Sequence, residues 1–322
     1  MTTDEEGLTK IAIVGAGAMG SVYAALLADA GNDVWAIDPW TDHVEAIATR
    51  GLRIDGPSGT RVVHLNATTD PSEVGACDLV VIATKARDVE GACEATRLLL
   101  GPATVVLPIQ NGIGSADRAA EILGPDGIVV GVVGGFGASM VGPGHVHHHA
   151  LELVRLGEYV SQPVTSRLQA IAGSWRRAGF KVEVYDDVNA LIWAKLLCNV
   201  AFSGPCAVLG CTIGEIVADP HGWELVQLCV HEAWKVREAL GVDIGVTDPV
   251  AYIADFASKM SGAAPSMVRD LAAGRPTEID IINGAIPPLA AKHGLSAPFN
   301  EAVTLVVHAR EQIGAAPVAT PA

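Results

Sequence analysis

The sequence has no excess of basic charge, no apolar leader and no long hydrophobic run. Its 322 residues include 21 lysines and arginines against 36 aspartates and glutamates, giving a formal net charge of −15. A protein whose main partner is a nucleic acid usually has the opposite balance, so we expect no nucleic-acid partner. The acidic start, residues 1–6, predicts no signal peptide. The longest weakly polar run, residues 128–141, is interrupted by glycine and too short to cross a bilayer, which predicts no membrane partner.

Paired cysteines are missing as well. The six cysteines form no Cys-x-x-Cys pair and lie inside apolar runs, which predicts reduced, buried thiols in a cytoplasmic protein. Hydrophobic residues make up 50% of the chain and charged residues 18%, enough for a large core. The length is about twice the usual ~150 residues of one domain, so two domains are expected. An intracellular enzyme or binding protein remains.

The first half of the chain alternates β-branched runs with helical patterns. The predicted strands are 10–14, 33–38, 61–67, 79–83, 104–109 and 128–133. Helices are predicted at 18–30 and 41–50. This β-α-β alternation predicts an α/β domain built on a parallel, doubly wound sheet.

The pattern changes after Gly144. Residues 145–157 alternate like an exposed strand pair, and 166–179 and 180–185 predict a helix and a strand. The helices predicted beyond them are 187–203, 212–218, 221–240, 248–260, 265–273, 277–293 and 299–313. Residues 212–215 and 277–280 resemble capping boxes at helix starts. We therefore expect an α/β domain over 1–186 and an all-helical domain over 187–322.

A glycine-rich loop follows the first strand and opens a helix. It consists of Gly15, Ala16, Gly17, Ala18, Met19 and Gly20. The first glycine permits a tight turn, the second lets the backbone approach a pyrophosphate, and the third lets helix and strand pack closely. The helix N-terminus offers free N–H groups to the anion. This context favours dinucleotide binding over a chance glycine-rich turn.

Asp38 closes the second strand, 18 residues after the last glycine of the loop. A carboxylate there would bind the adenosine ribose hydroxyls and repel a 2′-phosphate. Residues 39–43 supply no Lys or Arg to receive that phosphate. NAD is therefore favoured over NADP as the cofactor. The alternative is that Asp38 only caps the turn.

Lys195 lies in an otherwise apolar helical stretch, with Asn199 four residues later on the same face. Burial should lower the pKa of this lysine and make it a workable general acid for a developing alkoxide. Asn199 could bind a substrate oxygen or orient the ammonium. The alternative is a lysine that extends from a helix edge into solvent.

Other polar residues stand at strand and helix ends. Asn111 follows strand 104–109, at the edge where ligands of such sheets bind, or only marks a turn. Thr84 and Lys85 end the preceding strand, where Lys85 could approach the cofactor or simply be solvated. Glu278 is expected in the first turn of a helix, whose dipole would stabilise its anion, or it acts only as a cap.

Four histidines cluster at positions 145, 147, 148 and 149. Alternation along a strand would place three of them on one face. No carboxylate or cysteine with ligand spacing accompanies them in the sequence, so an exposed strand is favoured over a metal site, and we expect no metal.

In order along the chain, the motifs are Gly15-x-Gly-x-x-Gly20, Thr84-Lys85, Gln110-Asn111-Gly112, Lys195-x-x-x-Asn199, Ser266-Met-x-x-Asp270 and Thr277-Glu278-Ile-Asp-x-x-Asn283-Gly284. With these motifs, the chain resembles the ketopantoate reductase (2-dehydropantoate 2-reductase) family over about residues 10–311. The resemblance implies a Rossmann domain, a helical domain, an active site in the cleft between them, and reduction of a 2-keto acid by hydride from a nicotinamide.

The resemblance also implies residue roles. Lys195 and Asn199 would act in catalysis, and Asn111 would lie beside the nicotinamide and the substrate. Glu278 would bind a substrate hydroxyl. Ser266 would bind the substrate carboxylate, although a serine at a helix start is often only a cap.

Two positions depart from the family pattern, and a pair of prolines bears on the helix after Glu278. Ser203 stands where a second asparagine of the catalytic helix is common, and Asp38 stands where an arginine is common. Both favour a keto acid other than ketopantoate and NAD over NADP. Pro287-Pro288 should break the helix after Glu278.

Two other classes of function stay open at this point. The 3-hydroxyacid dehydrogenases also combine a Rossmann domain with a helical Lys-x-x-x-Asn, but lack the paired Ser266 and Glu278 motifs. A redox sensor could bind NAD without turnover. A homodimer is expected, for which apolar residues such as Trp223, Cys229, Val230 and Trp234 could supply the interface or simply form core.

Overall fold

The computed structural model describes residues 9–135, 137–150 and 153–315. These residues divide into two compact units. The first runs through Gln110 and continues from Ser115 to Val188, and the second comprises Asn111–Gly114 and the chain from Asn189 onward. The expected boundary after residue 186 thus lies two residues before this division, and the short segment 111–114 was not expected to group with the helices.

Strands and helices alternate in the first unit. The strands are β1 (Lys10–Val14), β2 (Asp33–Ile37), β3 (Leu52–Asp55), β4 (Arg61–Val63), β5 (Asn66–Thr68), β6 (Leu79–Ile82), β7 (Val105–Pro108), β8 (Val129–Gly134), β9 (Gly137–Gly142), β10 (His145–Ala150), β11 (Leu153–Glu158) and β12 (Val182–Tyr185). The helices are α1 (Ala18–Asp29), α2 (Thr41–Arg50), α3 (Val89–Thr96), α4 (Ser115–Leu123) and α5 (Ser166–Arg177).

The central sheet is parallel, with strand order β5-β2-β1-β6-β7. Its strands β6 and β7 are buried at every position, which explains why they are continuous apolar runs. Tyr23 of α1 packs against Trp175 of α5, with ring centroids 5.2 Å apart, inside the apolar core of this unit. The predicted α/β fold with a doubly wound parallel sheet is confirmed.

Three strand predictions need correction. The run 128–133 reaches the parallel sheet only through a parallel bridge between Ile128 and Val106, and from Val129 onward it pairs antiparallel with β11 in a separate sheet, β12-β11-β8. The run 61–67 forms two strands, β4 and β5, that belong to different sheets. The predicted pair 145–157 does not exist, because β10 joins the sheet β4-β3-β10-β9 while β11 lies elsewhere. Apolar alternation indicates a strand but carries no information about its partner.

The second unit is helical over its described residues. Its helices are α6 (Asn189–Leu209), α7 (Ile213–Ala218), α8 (Pro220–Ala239), α9 (Pro249–Met260), α10 (Ser266–Ala272), α11 (Ile286–Lys292) and α12 (Pro298–Ala315). The capping box predicted at the start of α7 is present, with Thr212 and Glu215 bonded reciprocally. The predicted helical character of this region is confirmed.

Helix α6 crosses the core of the second unit. It is long and apolar enough, by length and composition, to span a membrane, but 67% of its apolar window is buried within the protein. The prediction that 128–141 is the longest weakly polar run is wrong, since residues 196–214, which follow Lys195, form a longer stretch without a charged residue. Pro205 lies inside α6. Five residues before it, the Val200 carbonyl accepts a hydrogen bond of 3.0 Å from Asn283 Nδ2.

The predicted helix 277–293 is wrong in its first half. Residues Ile279–Ile281 form a short 3-10 helix, and α11 begins only at Ile286, with prolines at its first positions. The prolines lie in the first turn of α11, where a helix tolerates them, so they interrupt no preceding α-helix and the expected break after Glu278 has another cause. The predicted capping box at 277–280 does not form, since the Asp280 carboxylate pairs with His308.

All six cysteines are free; five of them are buried, as expected, and Cys211 is partly exposed. The face proposed for dimer contact is mostly internal. Cys229 and Val230 are fully buried in the core, and the Arg237 guanidinium covers the Trp234 ring at 3.9 Å. The core alternative is correct for Cys229 and Val230, whereas Trp223 and Trp234 are partly exposed.

Candidate active site

The glycine loop joins β1 to α1 in a conformation that glycine alone adopts easily. Gly15 has φ of +96°. A Cβ at Gly20 would lie 1.9 Å from the Gly15 carbonyl oxygen, so only glycine allows this packing. A Cβ at Gly17 would meet no atom within 4 Å, and Gly17 is exposed. The middle of the loop is therefore open to a ligand.

The start of α1 offers its backbone N–H groups. Gly17 is the N-cap and supplies no side-chain hydrogen bond. Ala18 and Met19, the first two helical residues, are half-buried. N–H groups at such an N-terminus lack intrahelical acceptors and favour an anion. Two polar atoms close to this loop, Thr84 Oγ1 and Gln110 Oε1, are buried without a hydrogen-bond partner among the described residues. The residues present thus fit a dinucleotide.

Asp38 directly follows β2 and is half-buried. Its Oδ1 accepts a hydrogen bond of 2.9 Å from the backbone N–H of Trp40. The carboxylate therefore caps the turn, as the alternative interpretation expected, and this bond fixes its position at the end of the strand. Thr84 packs against Gly15, whereas Lys85 is exposed in the turn after β6.

Three predicted site residues meet within the second unit. Lys195 Nζ donates to Asn111 Oδ1 over 2.7 Å. Asn111 Nδ2 donates to Glu278 Oε2 over 3.1 Å. The three side chains are half-buried. We call Lys195, Asn111 and Glu278 the polar triad.

Chemistry fixes the orientation of the Asn111 amide. An ammonium can only donate hydrogen bonds and a carboxylate can only accept them. The amide oxygen must therefore face Lys195, and the amide nitrogen must face Glu278. The triad forms a directed chain from cation to anion through one neutral group.

The segment 111–114 is held by backbone contacts that the sequence analysis did not assign. Ile113 N donates to Ile281 O over 3.0 Å. Gly112 has φ of +76°, and a Cβ there would lie 2.1 Å from the same carbonyl oxygen. Gly112 and Ile281 are thus positioning residues for Asn111. The glycine was visible as a turn signal, but its close approach to a residue so far along the chain was not.

Other predicted residues lie outside the triad. Asn199 is half-buried one turn after Lys195, and Ser203 is buried one turn further along α6. Ser266 is exposed as the first residue of α10, with Pro265 at the N-cap position. Within the described residues no hydrogen bond joins Asn199 or Ser266 to the triad.

The expected helical setting of Glu278 is wrong. Glu278 precedes a three-residue 3-10 helix and is not in the first turn of an α-helix. The helix-dipole argument for its anion therefore does not apply. The Asn111 amide is the group that donates to its carboxylate.

The histidine cluster has a carboxylate partner that the sequence analysis missed. His145 Nε2 is 2.6 Å from one oxygen of Asp55, and His147 Nδ1 contacts the other. Strand β3 brings Asp55 beside them, since β3 pairs in parallel with β10. The hydrogen bonds from His145 and His147 lower the pKa of Asp55. In the described ranges no group of three or more His, Cys, Asp or Glu residues could hold a metal ion.

Two family models match the chain. One is described as ketopantoate reductase PanE/ApbA and matches residues 11–161, and the other is its C-terminal domain and matches residues 187–311. The chain belongs to the ketopantoate reductase family. This confirms the resemblance suggested by the motifs, and family membership identifies the protein as an oxidoreductase.

A curated family member from Streptococcus pyogenes serotype M18 (strain MGAS8232), 2-dehydropantoate 2-reductase, is 30% identical over 94% of this chain and 97% of its own length. The crystal structure of a PanE/ApbA family ketopantoate reductase from Ralstonia eutropha JMP134 has a TM-score of 0.85 and 33% identity, covering 95% of this chain and 99% of the other. The ternary structure of D-mandelate dehydrogenase with NADH and anilino(oxo)acetate has a TM-score of 0.85 and 29% identity, covering 96% and 100%.

Proposed function

We propose that this family member is an NAD(H)-dependent reductase of a 2-keto acid, with Lys195 as the proton donor. The observation that carries the proposal is the polar triad, in which Lys195 Nζ lies 2.7 Å from Asn111 Oδ1. The coarser statement, a nicotinamide-dependent oxidoreductase that interconverts 2-keto and 2-hydroxy acids, rests on the family itself. The NAD preference, the residue roles and the substrate are the parts proposed here.

Each residue of the triad has a distinct task in this proposal. Lys195 holds a proton at Nζ and gives it to the carbonyl oxygen as negative charge develops there. Asn111 keeps the ammonium in place through its amide oxygen. Glu278, oriented by the Asn111 amide nitrogen, accepts a hydrogen bond from a substrate hydroxyl. The bound nicotinamide supplies the hydride.

The remaining residues bind and orient the substrate. We assign Asn199 to a substrate oxygen, Ser266 to the carboxylate and Ser203 to the wall of the pocket. The exposed position of Ser266 at the start of α10 leaves its hydroxyl accessible to a ligand. In the first unit, residues 15–20 would hold the pyrophosphate, Asp38 the adenosine ribose, and Thr84 and Lys85 the neighbouring part of the cofactor.

The cofactor preference follows from charge. The Asp38 carboxylate repels a 2′-phosphate, so NAD(H) should bind at least about tenfold more tightly than NADP(H), or about 1.4 kcal/mol. Titration of both reduced cofactors by fluorescence measures this ratio. Asp38→Arg should narrow or reverse it, whereas Glu301→Arg, an exposed change in α12 of the helical unit, should not. Equal affinities in the unmodified protein would contradict the role of Asp38.

The substrate is proposed to be bulkier or less hydroxylated than ketopantoate. Ser203 has one hydroxyl and a smaller volume than an amide, so a substrate hydroxyl that needs such an amide would be left without a partner. The D-mandelate dehydrogenase of similar structure was solved with the aryl compound anilino(oxo)acetate, which supports testing aryl acids.

A panel of 2-keto acids with NADH decides between substrates. We expect kcat/KM for aryl or branched 2-keto acids to exceed that for ketopantoate, and Ser203→Asn to shift the ranking toward ketopantoate. The second candidate function, 2-dehydropantoate 2-reductase itself, is favoured by the name of the Streptococcus relative. A lead of more than tenfold for ketopantoate would establish it in place of the first.

A homodimer and a cytoplasmic location are also proposed. The free, buried cysteines support a reducing compartment. Light scattering during gel filtration tests the oligomer, for which a mass of twice the 33.2 kDa chain is expected. A mass equal to one chain would contradict the dimer.

A further inference from the structure

We infer that His43 is a positioning residue for the cofactor, whose imidazole holds the glycine loop and the Asp38 carboxylate in one fixed arrangement. The inference rests on the proposed function, since it assumes that this loop binds NAD(H). His43 lies in the first turn of α2, five residues after Asp38, and it is fully buried. The motifs of the sequence did not single it out.

One edge of the imidazole reaches the loop through Ser21. His43 Nδ1 accepts a hydrogen bond of 2.9 Å from the backbone N–H of Gly144. A neutral imidazole that accepts at Nδ1 carries its proton on Nε2. Nε2 lies 3.2 Å from Ser21 Oγ and therefore donates to it. The Ser21 hydroxyl then donates to the Ala16 carbonyl oxygen over 2.7 Å, inside the glycine loop.

The face of the imidazole reaches Asp38 through Trp40. The Trp40 ring stacks on His43 with centroids 5.0 Å apart and 14° between the planes. The Trp40 backbone N–H donates to Asp38 Oδ1. A continuous set of contacts therefore runs from the ribose-binding carboxylate to the pyrophosphate loop, with His43 at its centre.

The surroundings keep the ring neutral. Burial lowers the pKa of His43 from its ordinary 6.5, and this outweighs the nearby Asp38 carboxylate and the Ala16 backbone, which raise it. Helix α1 presents the Ser21 hydroxyl, the turn before β10 presents the Gly144 N–H, and β5 carries no ionisable side chain. In a protonated ring Nδ1 would also carry a hydrogen, which would face the Gly144 N–H and break this hydrogen bond. The donor and acceptor roles of the two nitrogens are therefore fixed near pH 7.

Two amide substitutions separate these roles. In His43→Gln the longer amide reaches the position of Nε2 and can still donate to Ser21. In His43→Asn the shorter amide can accept from Gly144 but does not reach Ser21. His43→Leu removes both bonds. We expect the NADH dissociation constant to rise about five- to tenfold in His43→Asn and His43→Leu, the range for one lost hydrogen bond. His43→Gln should stay within about twofold of the unmodified protein.

Thermal unfolding distinguishes this role from a purely structural one. All three variants should lower the melting temperature, but only those that lose the Ser21 bond should weaken NADH binding. Ser21→Ala, a small change that removes the donor to Ala16, should raise the dissociation constant like His43→Asn. The inference would be overturned if His43→Asn and His43→Gln raised the NADH dissociation constant equally, or if Ser21→Ala left that constant unchanged.

His148 supplies the matched control. It is also fully buried, and its Nε2 lies 2.6 Å from Ser58 Oγ. His148→Gln and His148→Asn should lower the melting temperature and leave the NADH constant unchanged. If the unmodified protein binds neither NADH nor NADPH, the proposed function fails. If it binds NADH and His43→Leu binds it equally well, this inference alone fails.

Discussion

In its proposed role as general acid, Lys195 must keep its proton until charge develops on the substrate, and its contact with the neutral Asn111 side chain favours this. Its Nζ donates a hydrogen bond to an amide oxygen, Asn111 Oδ1. An amide oxygen is far too weak a base to remove a proton from an ammonium, so the bond orients Nζ without neutralising it. The Glu278 carboxylate acts on the amide from its other end, which holds the acceptor in place.

Replacing Lys195 tests this role directly. Lys195→Ala should lower kcat at least about 100-fold, the lower range for a general acid. NADH binding should change little, because the glycine loop and Asp38 are untouched. Lys292→Ala removes an exposed lysine at the end of α11 in the same unit and should leave kcat unchanged. Near-normal turnover of Lys195→Ala would remove this lysine from the chemistry.

The three residues of the triad could be selected from the sequence by their type, but their contacts could not be predicted. A lysine in an apolar helix and an asparagine after a buried strand each stood out by residue type. Lys195 and Asn111 are 84 residues apart in the sequence, and Asn111 and Glu278 are 167 residues apart. Such separations do not tell whether two side chains are close in space. Which polar groups meet depends on tertiary packing. The buried hydrogen bonds of His43 and Ser21 were missed because ordinary polar residues in a helix carry no special signal.

At the scale of elements, two short irregular segments position two of the three side chains of the triad. The turn at 111–114 and the 3-10 helix Ile279–Ile281 are joined by the Ile113–Ile281 backbone hydrogen bond. They carry Asn111 and Glu278 at their edges. Irregular segments that hold functional side chains need such ties, because they lack the hydrogen bonds of regular elements.

Gly112→Ala should disturb this pair of segments. The added Cβ would lie 2.1 Å from the Ile281 oxygen at a positive φ, so we expect a loss of about 2 kcal/mol of stability. We also expect at least about a tenfold fall in kcat/KM from displacement of Asn111. Calorimetry and steady-state kinetics measure both.

Gly114→Ala is the control for strain alone. Gly114 also has a positive φ, +97°, but a Cβ there would meet no atom within 4 Å. Gly114→Ala should lower the free energy of unfolding and leave kcat/KM close to that of the unmodified protein. Equal kinetic effects of the two substitutions would show that the contact with Ile281 does not position Asn111.

Elements that bury a continuous apolar run were predictable, and those defined by tertiary contacts were not. Strands β1, β6 and β7 lie close to their predicted places because both faces are covered. The region 277–293 failed because helix-forming residues around Glu278 are overridden by tertiary contacts. Thr277 N donates to Glu311, and Asp280 pairs with His308, so this backbone is fixed from α12.

At the scale of the whole molecule, buried ionisable groups make folding sensitive to acid. Burial raises the pKa of Glu158, but hydrogen bonds from Arg167 and Thr165 outweigh burial and hold it below its ordinary 4.5. Its contribution to stability is therefore present above about pH 4.5 and is lost as the pH falls through the lower, folded value. His43 acts in the same direction below about pH 6.5, since its pKa is lowered by burial.

Glu158→Gln should change this profile. The melting temperature of the unmodified protein should fall below about pH 6.5 and more steeply below about pH 4.5. The variant should melt lower at pH 7, because Arg167 loses its carboxylate partner, and should show a flatter profile in the acid range. Glu301→Gln, an exposed change in α12, serves as control. Parallel profiles of Glu158→Gln and the unmodified protein would contradict this role.

The grouping of Asn111–Gly114 with the helical unit has a consequence for recombination between relatives. A chimera that exchanges only the residues from 189 onward would combine one parent's Asn111 turn with another parent's Ile281 segment and helix α6. The crossover would split a cooperating group of side chains that is contiguous in space but not in sequence. A chimera designed to exchange substrate specificity between family members should therefore replace residues 111–114 together with the helical residues from 189 onward.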